Sequence, residues 1–371
     1  MIVRDEEAVI ERCLTSARGL IDSWVICDTG STDATPALVQ RALAGIPGEL
    51  HHHRWRDFAH NRSALLRLAR GRADYLLLMD ADWTIEATAG AFAGLTADAY
   101  MVRHAGPTEF HNKRLVSGRI PWRYVGATHE YITSDAERTC ERLDGVTLHV
   151  HEIGGERTGR WEHDIALLQA ALERDRTDAR SMFYLAQTLR DLGHSRGDAA
   201  MLAKAREGYE SRAAMPGWDE ETYCARHEAG ALAAELGDWP AAMEHYVAAW
   251  EARPQRLESV FDLVLGLRQR ERWHTALRFT SLAGDRRPLP EPPDNLHVAP
   301  WIYRWGLLFE HSIACYWTDR FTACIAACDV LLARDDLPDG HREQTLRNRD
   351  LALAAEAERI GRRALDYGSA T

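Results

Sequence analysis

A repeat with a period of 34 residues constrains the fold of this chain more than any other feature of the sequence. Tryptophan, alanine and proline recur at this spacing between residues 221 and 290. The matching pairs are Trp239 and Trp273, Ala242 and Ala276, Ala249 and Ala283, and Pro254 and Pro288. Because small residues let helices pack closely and proline ends a helix, the pattern predicts pairs of helices that stack into a solenoid.

The helical pattern extends on both sides of this repeat. A related unit is predicted at residues 183–216, and another at 313–338 after a proline-rich connector at 288–300. The last helix, 341–360, is polar on one side and is expected to cap the solenoid. The period resembles that of tetratricopeptide repeats, which bind partners or dimerise. We therefore predict an all-α, tetratricopeptide-like helical repeat domain over residues 156–371, which supports a homodimer or a protein partner.

Residues 1–155 have a different periodicity, in which short apolar runs alternate with amphipathic stretches. Strands are predicted at residues 24–27, 49–53 and 75–79, and helices at 6–17, 36–43 and 58–69. This alternation predicts an α/β domain with a mainly parallel sheet. Since ligands of such domains bind beyond the carboxyl ends of the strands, the polar residues that follow each predicted strand are the candidates for a site.

Composition excludes several classes of function. The net charge of −11 and the pI of about 5.9 argue against nucleic-acid binding. Seven scattered cysteines without a CxxC pair argue against a disulfide framework and favour a cytoplasmic location. No apolar run is long enough to span a bilayer, and no signal peptide precedes the charged segment 4–7. Met1-Ile2-Val3 is predicted as the end of a first strand, so either that strand is short or the true start lies upstream.

The segment Asp80-Ala81-Asp82 follows the apolar strand predicted at 75–79. Side chains at positions i and i+2 of a strand point the same way, so the two carboxylates would repel each other unless a cation lies between them. A divalent metal that also binds a diphosphate is the usual solution. Acidic pairs are also common in plain loops, so this segment alone is a weak signal.

Three further polar residues strengthen the prediction. Asp28 ends the strand predicted at 24–27, and the segment 29–33 after it can form a tight turn and cap a helix. Asp28 is then able to accept hydrogen bonds from a base or a ribose. Asn61 and Arg62 lie early on the next predicted helix, where an amide and a guanidinium can reach a nucleotide. For Arg62 a role on the plain surface is an equal alternative.

Three segments together resemble bacterial glycosyltransferase family 2. They are Met1-Ile2-Val3-Arg4-Asp5-Glu6-Glu7, Val25-Ile26-Cys27-Asp28-Thr29-Gly30-Ser31-Thr32-Asp33 and Met79-Asp80-Ala81-Asp82. The resemblance covers residues 1–155, and the join to tetratricopeptide-like helices resembles a branch with this layout. It implies a GT-A (Rossmann-like) fold, a nucleotide-sugar donor, commonly a uridine diphosphate (UDP) sugar, and inversion at the anomeric carbon. It leaves the sugar and the acceptor open, with a peptide or a small molecule as candidates.

The resemblance also implies roles for individual residues. Inversion requires a base for the acceptor hydroxyl, and Glu130, beside His129, is the best-placed match. Asp82 is expected to bind Mn²⁺ or Mg²⁺ and Asp80 to contact the nucleotide. GT-A enzymes often add a late histidine as a metal ligand, a place that His151 or His149 can fill.

One departure from the family pattern keeps alternatives open. Many relatives have an acidic residue after the second aspartate, but here that residue is Trp83, which either walls a pocket or only packs. The first alternative is a non-catalytic tetratricopeptide scaffold with a degenerate transferase domain. The second is a nucleotidyltransferase, against which the acidic segment Arg4-Asp5-Glu6-Glu7 argues. Dinucleotide, Walker, hydrolase and zinc-protease motifs do not occur in the sequence.

Overall fold

The computed structural model describes residues 1–105, 110–126, 128–151, 157–283, 289–294 and 296–369. The chain divides into two compact units, Met1–Thr188 and Leu189–Thr371. The boundary predicted between residues 155 and 156 lies outside the described residues and stays a prediction. The α/β-then-all-α order that the sequence predicts is confirmed.

The first unit contains all the described strands and begins with strand–helix alternation. The strands are β1 (Ile2–Val3), β2 (Trp24–Asp28), β3 (Gly48–His52), β4 (Tyr75–Leu77), β5 (Trp83–Ala87), β6 (Ala99–Ala105), β7 (Phe110–Ser117), β8 (Arg123–Val125), β9 (Tyr131–Thr133) and β10 (Cys140–Val150). The helices are α1 (Ile10–Ala17), α2 (Thr35–Ala42), α3 (Phe58–Ala69), α4 (Arg157–Arg174) and α5 (Ala179–Arg196), of which α5 continues into the second unit.

The strands form three sheets with different pairing. The order β1-β2-β3 is parallel throughout, as predicted. The second sheet has the order β4-β7-β6-β10-β5, in which only β6 and β10 are parallel, and β8 with β9 forms an antiparallel pair. The prediction of a mainly parallel sheet is therefore wrong for the second sheet. Its strands β6 and β7 are separated by too few residues for a crossover, so they pair antiparallel.

Helix α1 packs against the cores of both larger sheets. Ile10 and Leu14 lie in the apolar core of the first sheet, whereas Cys13 and Ala17 lie in that of the second. The Cys13 thiol also donates a hydrogen bond to the backbone carbonyl of Asp80 at 3.4 Å. Because this spacing gives the helix two buried sides, α1 holds the segment after β4 beside the first sheet.

The second unit consists of helices in the part of it that the structure describes. They are α6 (Ala199–Ala213), α7 (Asp219–Glu235), α8 (Trp239–Ala252), α9 (Glu258–Gln269), α10 (Trp273–Thr280), α11 (Leu307–Tyr316), α12 (Phe321–Leu332) and α13 (Asp339–Ser369). A 3₁₀ turn, Ser281–Ala283, follows α10, and a π-helical turn, Ile302–Gly306, precedes α11. None of the described helices is long and apolar enough to cross a membrane.

The 34-residue repeat appears as equivalent positions in this unit. Helices α8 and α10 both begin at the repeated tryptophan, and Ala242 and Ala276 are both buried. The ring of Trp239 lies against Gly266 of α9, where a Cβ atom would come within 2.2 Å of it. Pro288 lies outside the described residues, and only the backbone of Ala283 is described. The predicted capping helix is α13, on which four large apolar residues are exposed: Leu346, Leu351, Leu353 and Ile360.

Candidate functional site

The Asp80-Ala81-Asp82 segment forms the turn between β4 and β5. The strand ends at Leu77, two residues earlier than predicted, although the backbone N–H of Leu78 still donates to the carbonyl of Arg114 on β7. Ala81 is buried, whereas the side chain of Asp80 is partly exposed. The buried Ala81 therefore holds the turn in place, and the carboxylates of Asp80 and Asp82 lie at the edge of the sheet.

Arg62 of α3 connects two of the predicted site residues. Its Nη2 lies 2.6 Å from Oδ1 of Asp80, and its Nε lies 2.6 Å from Oε1 of Glu130. The side chain of Arg62 is only 12% exposed, and its guanidinium also lies 5.6 Å from the ring centroid of Tyr124. Three segments that are distant in sequence thus meet at one guanidinium, which excludes the plain surface role for Arg62.

The two carboxylates bound to Arg62 have pKa values shifted in opposite directions. Burial raises the pKa of Glu130 above its ordinary value, and the positive charge of Arg62 only partly opposes this shift. Burial also acts to raise the pKa of Asp80, but the charges of Arg62 and Arg114 and the Arg62 hydrogen bond lower it below its ordinary value. Asp80 is thus the stronger acid and Glu130 the stronger base, a separation typical of sites that transfer protons.

Asp28 is buried at the end of β2 and is held by its own turn. Its Oδ1 accepts hydrogen bonds from the backbone N–H of Ser31 at 3.1 Å and from the Ser31 hydroxyl at 2.6 Å. Its Oδ2 lies 3.1 Å from Nδ1 of His52. Burial opposes ionisation, but these hydrogen bonds lower the pKa of Asp28. The turn at Gly30, whose φ is 114°, therefore presents a fixed carboxylate at the carboxyl end of the parallel sheet.

Asn61 lies next to Arg62 but has different contacts. Its side chain is buried, its Oδ1 accepts from the backbone N–H of Arg56 at 3.0 Å, and its Nδ2 donates to the carbonyl of Arg54 at 3.1 Å. Both ends of the amide hold the loop before α3. The predicted contact between Asn61 and a nucleotide stays a prediction, while its observed contacts shape the loop.

The two candidate histidines lie at the end of β10, opposite β5. The backbone N–H of His151 donates to the carbonyl of Asp82 at 3.3 Å, and its Nε2 lies 2.8 Å from the hydroxyl of Thr84. His149 pairs with Thr84 of β5, and its Nε2 lies 3.2 Å from Glu86. The structure therefore places His151, and not His149, beside the second aspartate of the segment.

The donor set around Asp82 determines how a metal would be held. Within the described ranges, no group of three histidine, cysteine, aspartate or glutamate side chains is arranged to hold a metal ion. Asp82, just before β5, and His151, just after β10, still offer a carboxylate and an imidazole, which suits Mn²⁺ when phosphate oxygens and water complete the shell. The residues present thus fit a metal that is bound together with a diphosphate.

Three residues of this region were not predicted from the sequence. Arg114 of β7 lies 4.4 Å above the ring of Trp83, and in the described part of the chain its buried Nε has no hydrogen-bond partner. His104 is buried between the rings of Trp83 and Phe110, with centroids 4.9 Å and 4.5 Å away. Burial and the charge of Arg114 lower the pKa of His104 to about 4, so it is neutral at pH 7. Trp83 is buried, and its ring packs edge-on against that of His104.

The third unpredicted residue is Glu6, in the loop between β1 and α1. Burial raises its pKa, and the nearby charges of Asp82 and Asp80 raise it further. Glu6 belongs to the segment Arg4-Asp5-Glu6-Glu7, which contributes to the family resemblance but for which the sequence predicts no role in the site. Its position adds a third carboxylate to the electrostatic environment of the Asp80-Ala81-Asp82 turn.

Comparison with known proteins assigns a class to this part of the chain. Residues 1–88 match the model of Glycosyl transferase family 2. This part of the chain is therefore similar to glycosyltransferase family 2, as its motifs predict. The match includes Asp28, Arg62 and the Asp80-Ala81-Asp82 turn, and it ends before Glu130 and His151.

One relative supports the prediction of tetratricopeptide-like repeats. A TPR repeat-containing protein of Synechococcus elongatus is 41% identical over 83 residues, which are 22% of this chain and 19% of the relative. The chain thus matches about a fifth of the length of that relative. The predicted join of a glycosyltransferase segment to tetratricopeptide-like repeats is confirmed.

Similar solved structures cover more than half of the chain at low sequence identity. Staphylococcus aureus TarS 1-349 in complex with UDP-GlcNAc is 13% identical and has a TM-score of 0.36, with 69% of this chain and 91% of that chain covered. BtubC from P. vanneervenii is 12% identical with a TM-score of 0.41, covering 56% and 85%. MamA is 13% identical with a TM-score of 0.34, covering 55% and 87%. At such scores no property of these proteins is transferred.

Proposed function

We propose that this protein is a metal-dependent, inverting glycosyltransferase. It moves a sugar from a nucleotide-sugar donor, a UDP-sugar, to a hydroxyl group of a peptide or small-molecule acceptor. The observation that carries the proposal is the guanidinium of Arg62, which joins Asp80 to Glu130. This contact places a carboxylate of raised pKa next to the segment that would hold the donor diphosphate.

Asp82 and His151 are the proposed ligands of Mn²⁺ or Mg²⁺. Asp80, Asp82 and Glu6 lie close enough for their negative charges to repel one another, and this repulsion contributes to the raised pKa of Glu6. A divalent cation would relieve the repulsion. When bound, the metal would neutralise negative charge on the leaving diphosphate. Arg62 and Arg114 add two positive charges beside Asp80, which favours an anionic donor in the same place.

The remaining nucleotide contacts are proposed for the first sheet. Asp28 would accept hydrogen bonds from the ribose or the base, because its turn fixes the carboxylate and keeps it ionised. Asn61 would act on the donor through the loop 54–56 that it holds.

Glu130 is the proposed base. It would take the proton of the acceptor hydroxyl while that oxygen attacks the anomeric carbon, and the bond from this carbon to the diphosphate oxygen would break on the opposite face. The sugar is thereby inverted, UDP leaves as an anion, and the proton stays on Glu130 until water removes it. No covalent bond between sugar and enzyme forms.

The test is donor hydrolysis, in which water replaces the unknown acceptor. Purified protein is incubated with UDP-glucose or UDP-N-acetylglucosamine and Mn²⁺, and released UDP is measured. Glu130→Gln should lower kcat roughly 100-fold or more, since general bases contribute about 10²–10⁴-fold, and should leave UDP binding intact. Asp82→Asn should weaken Mn²⁺-dependent UDP binding in calorimetry.

Glu141→Gln is the matched control, because Glu141 is an exposed residue of β10 far along the strand from His151. It should behave as wild type in both assays. Full turnover in Glu130→Gln would refute the assignment of the base. Unchanged Mn²⁺ dependence in Asp82→Asn would refute the assignment of the metal site.

A non-catalytic scaffold is the second candidate. One observation favours it: the relative that is 41% identical over 83 residues is named only for its TPR repeats. In that case the helices would bind a partner and the N-terminal unit would have lost its donor. Wild-type protein that gives neither binding heat nor a thermal shift with UDP and Mn²⁺ would favour the scaffold.

A further inference from the structure

The start of helix α5 contacts the loop that carries Glu130. Arg180, in the first turn of α5, donates hydrogen bonds from Nε and Nη2 to the carbonyl of His129, at 3.2 Å and 2.8 Å. This carbonyl belongs to the peptide bond that links His129 to Glu130. A rigid guanidinium that donates twice to one carbonyl fixes both its position and its direction.

Aromatic contacts reinforce these hydrogen bonds. The ring of Tyr184, one helical turn after Arg180, stacks on His129 with centroids 4.2 Å apart and planes 5° from parallel. The guanidinium of Arg180 also lies 4.8 Å from the ring centroids of both Tyr131 and Tyr184. The residues on either side of Glu130 are therefore both held by α5.

The backbone of this loop needs such support. His129 has a φ of 48°, in the left-handed region that is strained for a non-glycine residue. Gly126 has a φ of 109°, and a Cβ atom on it would come within 3.3 Å of the Cα of Glu130. A tight loop with a strained residue keeps one conformation only where its surroundings determine it.

We infer that Arg180 and Tyr184 are positioning residues for Glu130, so that the first turns of α5 complete the active site. This inference rests on the proposed function, in which Glu130 is the base. Arg62 holds the carboxylate of Glu130 from one side, and α5 holds its main chain from the other. All of these residues belong to the compact unit Met1–Thr188. The sequence from 156 onward thus contributes to catalysis as well as to the repeats.

A double-mutant cycle on the full chain tests the inference. Hydrolysis of UDP-glucose with saturating Mn²⁺ is measured for wild type, Arg180→Met, Glu130→Gln and the double variant. Arg180→Met should lower kcat about 10- to 100-fold, since a displacement of about 1 Å can cost 100-fold. Donor KM and the Kd for UDP should stay unchanged. The double variant should be no slower than Glu130→Gln, because Arg180 acts through Glu130.

Two further measurements separate positioning from general destabilisation. In Arg180→Met the acid limb of the kcat profile should move to lower pH, because a loosened Glu130 becomes more solvated and its raised pKa falls. Tyr184→Phe, which keeps the stacked ring, should retain activity that Tyr184→Leu loses. Arg176→Met, at an exposed position in the turn before α5, is the charge-matched control.

The outcomes distinguish the role of Glu130 as the base from the role of Arg180 in positioning it. Glu130→Gln with wild-type kcat would refute the proposed function itself. Impaired Glu130→Gln combined with an unaffected Arg180→Met would overturn only the positioning role. Equal losses from Arg180→Met in the wild-type and Glu130→Gln backgrounds would also overturn it, because Arg180 would then act independently of Glu130.

Discussion

Arg62 carries one positive charge between two carboxylates in a largely buried position. Removing one member of such a buried group costs about 3–5 kcal/mol, because a charge stays behind without its partner. The charge of Arg114 also acts on Asp80, which brings the local group closer to neutrality. Under the proposed function, both guanidinium groups would also attract an incoming diphosphate.

The raised pKa of Glu130 predicts a pH dependence of turnover. Burial raises the pKa of Glu130 above 4.5, the ordinary value for a glutamic acid, and only the ionised form can accept a proton. Donor hydrolysis should therefore rise with pH through a half-point above 4.5. The measurement is kcat between about pH 4 and 8 with Mn²⁺ saturating at every pH. An acid limb that persists unchanged in Glu130→Gln would belong to another group.

The same two groups act on stability with opposite signs. Asp80 has a lowered pKa in the folded state, so its contribution is present near neutral pH and is lost as pH falls through that pKa. Glu130 has a raised pKa, so its contribution is present at low pH and is lost as pH rises through its folded value. The protein therefore gives up some stability at neutral pH to keep a basic carboxylate in the site.

Among the helices and strands, the features that depend on local sequence patterns were predicted better than the pairing of distant strands. Helix α3 was predicted at its observed bounds, 58–69, and α2 to within one residue. Helix α1 begins at Ile10 and not at residue 6, since the segment 4–7 forms backbone and side-chain contacts with the turn after β2. Asp28 at the end of β2 and Asp80 after β4 were predicted as candidate site residues, because a carboxylate after an apolar run is a local signal.

The second sheet could not be predicted in the same way. Its order, β4-β7-β6-β10-β5, depends on pairings between strands that are far apart in sequence. Arg114 and His104 were missed for this reason: each lies on a strand whose neighbours decide which side faces the core. The contact between Arg180 and His129 spans 51 residues, and the periodicity of α5 alone does not reveal it.

Glycine positions in the helical repeat lead to a prediction at this scale. A Cβ atom on Gly266 would lie 2.2 Å from the ring of Trp239, so Gly266→Ala must displace a large, partly buried side chain. We expect a loss of about 1–3 kcal/mol, seen as a lower unfolding temperature in calorimetry. Gly340→Ala on α13 is the control, because nothing lies within 4 Å of its Cβ position. Equal stability of the two variants would contradict this packing.

For the whole molecule, the division into Met1–Thr188 and Leu189–Thr371 predicts two transitions in scanning calorimetry. UDP with Mn²⁺ should raise only the transition of the first unit, because the proposed ligands, from Asp28 to His151, all belong to it. At 100 times the Kd the stabilisation should be about 2.7 kcal/mol. Gly266→Ala should lower only the other transition, which identifies it as that of Leu189–Thr371. A single transition that responds to both changes would show that the units unfold together, and a ligand effect confined to the second would place the nucleotide site among the helices.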